Sequence, residues 1–197
     1  MAFIGMRHVV AAEFDSHTAG SAPTYKSTGW DVGKAINANL TITRNNNPLY
    51  ADDEIAEDDN GITGMTVELG LDDITEDVQD KMGLLKAVTA GSPSVTTYYE
   101  TSAPAKDIGV GYMRVRRKNG TTKYQTVWIY KTKFSINNES SQTKGENIEW
   151  QTPTIDGKCV GLDIDGSGEV TFREKRVFDT ESAAATYLDG KANITRT

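Results

Sequence analysis

The chain has 197 residues, of which 28 are acidic and 21 are basic, so its formal net charge is −7. An acidic surplus argues against a protein that wraps DNA or coats an anionic membrane, because both surfaces would repel it. The single cysteine, Cys159, excludes an internal disulfide framework, and neither a secretion signal nor a run of ~20 apolar residues is visible, so we expect a soluble protein.

Alternating apolar and polar residues predict β-strands along most of the chain. The runs AINANLTITR (35–44) and ITGMTVELGLDD (62–73) each place aliphatic side chains on one face, which we expect to be buried, and polar side chains on the other. IGVGYMRVRR (108–117) and TTKYQTVWIYKTKFSI (121–136) flank Lys118-Asn119-Gly120, which predicts a tight hairpin. Further strands are predicted at 21–27, 95–102, 146–152, 157–164 and 169–177.

Two segments carry helical signals. In DITEDVQDKMGLLKA (73–87) the apolar residues recur at helical spacing, and either Asp73 or Thr75 can cap the first turn. TESAAATYL (180–188) is alanine-rich and begins with an acidic first turn. Together these elements predict one domain over residues 1–197, mainly antiparallel β, of sandwich or barrel type, with one or two packed helices.

The stretch DIDGSGEVTFRE (163–174) matches the ligand spacing of an EF-hand calcium loop. The candidate ligands are Asp163, Asp165, Ser167, Glu169 and Glu174. Pro153, Gly157 and Gly161 exclude a stable incoming helix, which an EF-hand requires, so the segment is better explained as a β-hairpin with an acidic tip. A weak calcium site without helices stays open as the alternative.

Residues suited to catalysis do not stand in a recognisable frame. The glycines of GVGYMR (109–114) lack the third glycine of a dinucleotide fingerprint and indicate close packing instead. His8 lies in an apolar, strand-like run and is expected to be packed or hydrogen-bonded, whereas His17 lies in a polar stretch and is expected to be solvated. We therefore expect a protein that is not an enzyme and that needs no cofactor.

The segment NNNPLYADDEIAEDDNG (45–61) is too long for a compact loop between two strands. It combines six carboxylates, without a basic neighbour, with apolar residues that a solvating loop does not need. That mixture predicts a loop that orders against another subunit, through Pro48, Leu49, Tyr50, Asp52, Asp53, Glu54, Ile55, Glu57, Asp58 and Asp59. One candidate receiver is the basic hairpin of Arg114, Arg116, Arg117 and Lys118, which could otherwise be a solvated strand end or a nucleic-acid ribbon.

Three segments resemble the major tail proteins, or tail tube proteins, of long-tailed, non-contractile bacteriophages and prophages of Gram-positive hosts. They are MAFIGMRHVVAA, GKAINANLTITRNNNPLYADDEIAEDDNGITG and EWQTPTIDGK, and the resemblance extends in order over nearly the whole chain. The DIDGSGE tip departs from the family's pattern.

This resemblance implies a structural protein of the virion tail, made in the cytoplasm of the bacterial host. Such subunits form six-membered rings that stack head to tail, with strands lining a lumen and long loops reaching the adjacent ring. The implied partners are further copies of the chain, a tape-measure protein, tail terminator and distal tail proteins, and DNA in transit.

The polar faces of the two alternating strands carry no lysine or arginine before Arg44. A neutral-to-acidic wall would let DNA slide, so we expect these faces to line the lumen, with Asn37, Asn39, Thr41, Thr43, Thr66 and Glu68 as candidates. The alternative function is a monomeric β-sandwich module that binds carbohydrate or calcium.

Overall fold

The computed structural model describes residues 2–45, 47–51, 54–59, 61–136 and 152–196, with the backbone alone for residue 2 and for residues between 47 and 59. The fold is mainly antiparallel β with two helices, as the alternating patterns predict, and no closed barrel forms among the described strands. Neither described helix is long and apolar enough to cross a membrane.

Thirteen strands and two helices make up the described part of the chain. The strands are β1 (Ala2–Ser16), β2 (Thr24–Tyr25), β3 (Trp30–Gly33), β4 (Ala35–Arg44), β5 (Asn47–Ala51), β6 (Glu54–Asp59), β7 (Ile62–Leu71), β8 (Leu85–Ala90), β9 (Val95–Glu100), β10 (Ile108–Lys118), β11 (Thr121–Ser135), β12 (Thr154–Cys159) and β13 (Arg173–Phe178). The helices are α1 (Glu76–Met82) and α2 (Glu181–Ala192).

Nine of the strands form one large sheet in the order β2-β1-β10-β11-β12-β7-β4, with β13 also paired to β11 and β3 also paired to β1. The remaining four strands form two separate hairpins, β5–β6 and β8–β9. The predicted hairpin at Lys118-Asn119-Gly120 is confirmed, because Asn119 and Gly120 have φ of 50° and 78° and join β10 to β11.

Both helices begin where the sequence predicts and end elsewhere. The Thr75 hydroxyl accepts a hydrogen bond from the Val78 amide and caps α1. Gly83, at φ 76°, ends α1 in a left-handed conformation, so the predicted helix over 73–87 is too long and its last residues belong to β8. α2 is longer than predicted, since it continues to Ala192 and ends at Asn193.

The central strands bury both of their faces. One face packs Val9, Val110 and Val127 into a core that α1 and β7 complete, and the other packs Val10, Met113 and Trp128 under α2. The two glycines of β10 lie under this second layer, as the sequence indicates. A Cβ on Gly111 would lie 2.4 Å from the Trp128 ring and 2.8 Å from Leu188, so these positions allow α2 to approach the sheet closely.

The predicted strands at 157–164 and 169–177 are shifted. β12 and β13 both pair with β11, at Thr132–Ser135 and Tyr124–Ile129 respectively. Between them the chain leaves the sheet as a loop that a single bridge, Leu162 to Thr171, closes. The predicted strand at 21–27 is reduced to β2, the one at 95–102 is β9, and the one at 146–152 lies outside the described residues except for residue 152.

Candidate functional site

The acidic segment is a β-hairpin rather than the predicted loop. β5 pairs with β6 from Asn47–Asp59 to Ala51–Glu54, and the Asn45 amide donates to the Gly61 carbonyl at its base. The hairpin, which we call the acidic arm (residues 45–61), therefore continues β4 and β7 beyond the large sheet. An extended strand satisfies its backbone groups by pairing, so even an acidic sequence can stay ordered here. Asp52 and Asp53 lie outside the described residues.

A cluster of positively charged residues lies on the face of the large sheet that packs against α1. Arg114 and Arg116 follow Tyr112 on that face of β10, at its end beyond the core. The strand β13 adds two cations, because Lys175 pairs with Val127 and Arg173 with Ile129, and directly paired residues share a face. We call Arg114, Arg116, Arg173 and Lys175 the cationic cluster.

Of the four residues predicted to receive the acidic segment, only Arg114 and Arg116 belong to this cluster, and the receiving role stays a prediction. Arg117 alternates with Arg116 and lies on the opposite face, and Lys118 is exposed at the turn. Arg173 and Lys175 were missed, because only the pairing of β13 with β11 brings them beside β10. Glu174, between these two cations in sequence, lies on the α2 side and contacts Tyr130 and Lys191 instead.

The cationic cluster lacks ion-pair partners in the described part of the chain. None of its four residues forms an ion pair there, whereas Lys123 and Lys191 pair with Asp179 and Glu174. The Nε atoms of Arg114 and Arg116 and the Tyr112 hydroxyl are buried without a hydrogen-bond partner. The guanidinium of Arg114 stacks over Phe3, with 4.5 Å between its Cζ and the ring centroid.

Electrostatic repulsion within the cluster acts on its lysine. Burial and the nearby charges of Arg173 and Arg114 lower the pKa of Lys175. Burial raises the pKa of Tyr112, although the same two arginines oppose the shift. Such a surface favours an anion, because a negative group would relieve the repulsion among the cations.

The residues predicted to line the lumen do share one face. β4 and β7 pair Asn39 with Glu68 and Thr41 with Thr66, and the Asn39 side chain donates to Glu68 at 3.0 Å. This polar face continues across Lys158 of β12 and Lys133 of β11. The whole face therefore carries cations, although β4 and β7 contribute none to it before Arg44. A shallow depression of about 310 Å³ at this point is lined by Asn39, Thr41, Thr66, Glu68, Lys133, Ser135, Asp156 and Lys158.

The opposite, aliphatic face of β4 is less buried than predicted. Met65, Val67, Leu69 and Leu71 of β7 are buried as expected. On β4, however, Ile36 is 51% exposed and Ile42 37% exposed, and Leu40 and Ala38 are only partly buried. β4 is the edge strand of the large sheet and pairs only with β7 among the described strands.

In the loop over 163–174, three of the candidate calcium ligands accept hydrogen bonds from backbone amides of the loop itself. The Asp163 carboxylate accepts from the Gly166 and Gly168 amides, and the Asp165 carboxylate accepts from the Ser167 amide. The Ser167 hydroxyl accepts from the Glu169 amide. Glu174 is directed elsewhere, and although burial alone would raise its pKa, hydrogen bonds from Lys191 and Tyr187 hold that pKa below its usual value.

The second projecting hairpin, β8–β9, was only half predicted. We call residues 85–100 the neutral ribbon, because no charged residue lies between Lys86 and Glu100. It pairs Leu85 with Glu100 through Ala90 with Val95 and forms its own sheet. Val88, Val95 and Tyr99 are exposed on it, and the Asp80 carboxylate of α1 accepts from the Ala87 amide at its base.

The remaining chemistry-bearing side chains have structural partners. The Nε2 atom of His8 lies 2.9 Å from Asp189, which also binds Arg196, so His8 is hydrogen-bonded as predicted. His17 is not simply solvated, since its ring lies 2.9 Å from the Asp163 carbonyl. Cys159 is buried, and burial raises the pKa of its thiol.

Comparison with known proteins adds no assignment. Neither a protein-family model nor a curated protein matches the sequence. The similarity to tail tube proteins therefore rests on the three quoted segments and stays a prediction.

Proposed function

We propose that this protein is the structural subunit of a bacteriophage tail tube, in which six-membered rings stack head to tail around a lumen that conducts DNA. The observation that carries the proposal is the acidic arm. Two strands of the large sheet continue past the folded body as a hairpin that pairs only with itself in the described structure. A protein that acts alone has no need of such an extension, whereas a stacked assembly needs a surface that reaches its neighbour.

The distribution of partners among polar side chains also favours an assembling protein over an enzyme. His8, Cys159 and Glu174, which could have served as base, nucleophile or acid, each contact other residues of the fold. The four residues of the cationic cluster, by contrast, form no ion pair in the described part of the chain. Unpaired charge of that kind suits recognition of another macromolecule.

In the proposed tube, the polar face of β4 and β7 lines the lumen. Glu68 and Asp156 accompany Lys133 and Lys158 on the extended face, so it carries both signs of charge rather than a cationic surplus. A wall without net positive charge holds phosphates weakly and lets DNA slide. The tape-measure protein would occupy the same lumen before DNA leaves, and tail terminator and distal tail proteins would bind the two ends.

The proposal is tested by negative-stain electron microscopy of the purified, concentrated protein, with sedimentation velocity as a second measurement. We expect rings with a central hole, or tubes built of stacked rings. Monomers at every concentration and ionic strength would contradict the proposal and favour the alternative, a monomeric module that binds carbohydrate or calcium.

A further inference from the structure

We propose that the cationic cluster is the seat that receives the acidic arm of a second copy of this chain. The inference deepens the proposed function and rests on it only for the identity of the partner as another copy. It assigns a receiving surface made of two strands, β10 and β13, that are far apart in sequence.

The first reason is that the cluster is electrostatically incomplete. Four cations share one sheet face, and no carboxylate pairs with them in the described chain. Two guanidinium Nε atoms and the Tyr112 hydroxyl are buried beside them without an acceptor. The four side chains themselves are partly or fully exposed, so carboxylates of a partner can pair with them through strong, charge-assisted hydrogen bonds.

The second reason is that the excess of acidic over basic residues is concentrated in one segment of the chain. Six of its 28 acidic residues lie between positions 52 and 59, and without them the formal net charge of −7 would be −1. The surplus thus belongs to the arm, and its sign and size complement the four cations. Long-range attraction between the two surfaces would also accelerate their encounter.

The third reason is that both surfaces combine charge with apolar area. Phe3 and Val177 are exposed beside the cluster. Phe3 pairs with Arg116 between β1 and β10. Val177 pairs with Gln125 of β11, and Gln125 pairs with Arg114. The arm carries Leu49, Tyr50 and Ile55 among its acids. Because the arm and the seat are different surfaces, the contact is heterologous, and contacts of that type build rings or open stacks rather than closed dimers.

The inference can be tested by charge reversal in two full-length variants. The seat variant carries Arg116→Glu, Arg173→Glu and Lys175→Glu, which changes the charge of the cluster from +4 to −2, and the arm variant carries Glu54→Lys, Glu57→Lys, Asp58→Lys and Asp59→Lys, which changes the charge of the arm from −6 to +2. Each variant alone places like charges in contact, so we expect neither to assemble. An equimolar mixture restores opposite charges at every contact between copies, and we expect assembly to return. If the mixture does not assemble although wild type assembles and both variants are folded, the inference is wrong. An arm that binds the seat of its own chain would give this result.

A second measurement separates this inference from the proposed function. A fluorescent peptide of residues 45–61 is titrated against the full-length protein, and polarisation reports binding. We expect Arg173→Gln with Lys175→Gln to weaken binding about tenfold, since two partly desolvated charge pairs are lost. The control, Lys86→Gln with Arg117→Gln, removes the same charge elsewhere and should change binding less than about twofold.

The outcomes of the two experiments differ in meaning. Tubes from wild type with equal peptide binding by seat and control variants would overturn the seat and leave the proposed function intact. Binding that depends on Arg173 and Lys175, with wild type always monomeric, would support the seat and contradict the tail tube. Neutralising mutually repelling cations should not lower the melting temperature, so loss of binding can be separated from unfolding.

Discussion

Two hairpins leave the folded body of this protein, and they differ in composition and in attachment. The acidic arm continues two strands of the large sheet and carries six carboxylates. The neutral ribbon forms its own two-stranded sheet after α1 and carries no charge between Lys86 and Glu100. An isolated two-stranded ribbon is marginally stable in water, so each hairpin gains order when a further surface covers it.

Because of this difference in composition, the two hairpins can make different kinds of contact with a partner. Charge acts over about 10 Å at moderate salt and weakens as salt is added, so the acidic arm suits steering and reversible growth. Apolar, uncharged strands act only in contact and are insensitive to salt, so the neutral ribbon suits a contact that persists once formed. The ribbon is also the part of the surface most exposed to unwanted strand pairing.

The largest effect is expected from removal of the acidic arm. Replacement of residues 48–59 by a short Gly-Ser bridge should leave the large sheet folded, because its core strands do not include the arm, and should abolish tube growth. Circular dichroism melts report the fold, and negative-stain microscopy reports the tubes. Tubes of normal length would show that the arm is only a solvated extension.

A smaller effect is expected from charge placed on the neutral ribbon. Val88→Glu with Val95→Glu changes two exposed side chains, 41% and 60% accessible, so stability should change by no more than about 0.5 kcal/mol per site. We expect loss of the fraction of assembly that survives 0.5 M salt, measured by sedimentation. The control is Thr96→Glu alone, on the opposite face of the same ribbon, because Thr89 and Thr96 are directly paired and two glutamates there would repel each other. Equal losses in both variants would mean that the apolar face has no special role.

The polar face below the arm should give a still smaller, kinetic effect. Asn39→Lys with Thr41→Lys should permit assembly but slow the ejection of DNA from virions, most clearly at low ionic strength, where lysine holds phosphate more strongly. Thr41→Lys should account for most of the change, because residue 39 lies opposite Glu68 and can pair with it. The uncharged control is Asn39→Gln with Thr41→Gln. Unchanged ejection with normal assembly would place the lumen elsewhere.

Calcium is expected to have no effect on stability. The loop over 163–174 is also acidic, but its own backbone amides occupy Asp163 and Asp165, in contrast to the surplus carried by the arm. Melting temperatures with calcium and with chelator should therefore coincide. A clear rise with calcium would contradict this expectation, because a ligand that binds only the native state must stabilise it.

Features fixed by neighbouring residues could be predicted from sequence. The turn at Asn119-Gly120 and the cap at Thr75 depend on a few adjacent residues, and both are confirmed. The first strand of the neutral ribbon was assigned to a helix, because LLKA suits helices and the helix-ending conformation of Gly83 was not recognised.

Features that depend on distant residues could not be predicted in this way. Alternation in β4 shows that Ile36 and Ile42 share a face, but only the strand order shows that β4 is an edge strand. The approach of Arg173 and Lys175 to Arg114 depends on the register of β13 against β11, which no local pattern encodes. The sequence therefore indicated only the β10 part of the cationic cluster.

The pairing of β1 with β10 has a consequence for newly made chains. β1 is apolar at its centre and buries both faces there, yet roughly 90 residues separate its end from the start of β10. At about 5–20 residues per second, a ribosome exposes that strand for on the order of ten seconds before its partner emerges. The acidic arm is also translated well before Arg173 and Lys175. In the proposed assembly each chain therefore displays its arm before its seat has formed, so an unfinished chain can bind a finished copy before it can receive one.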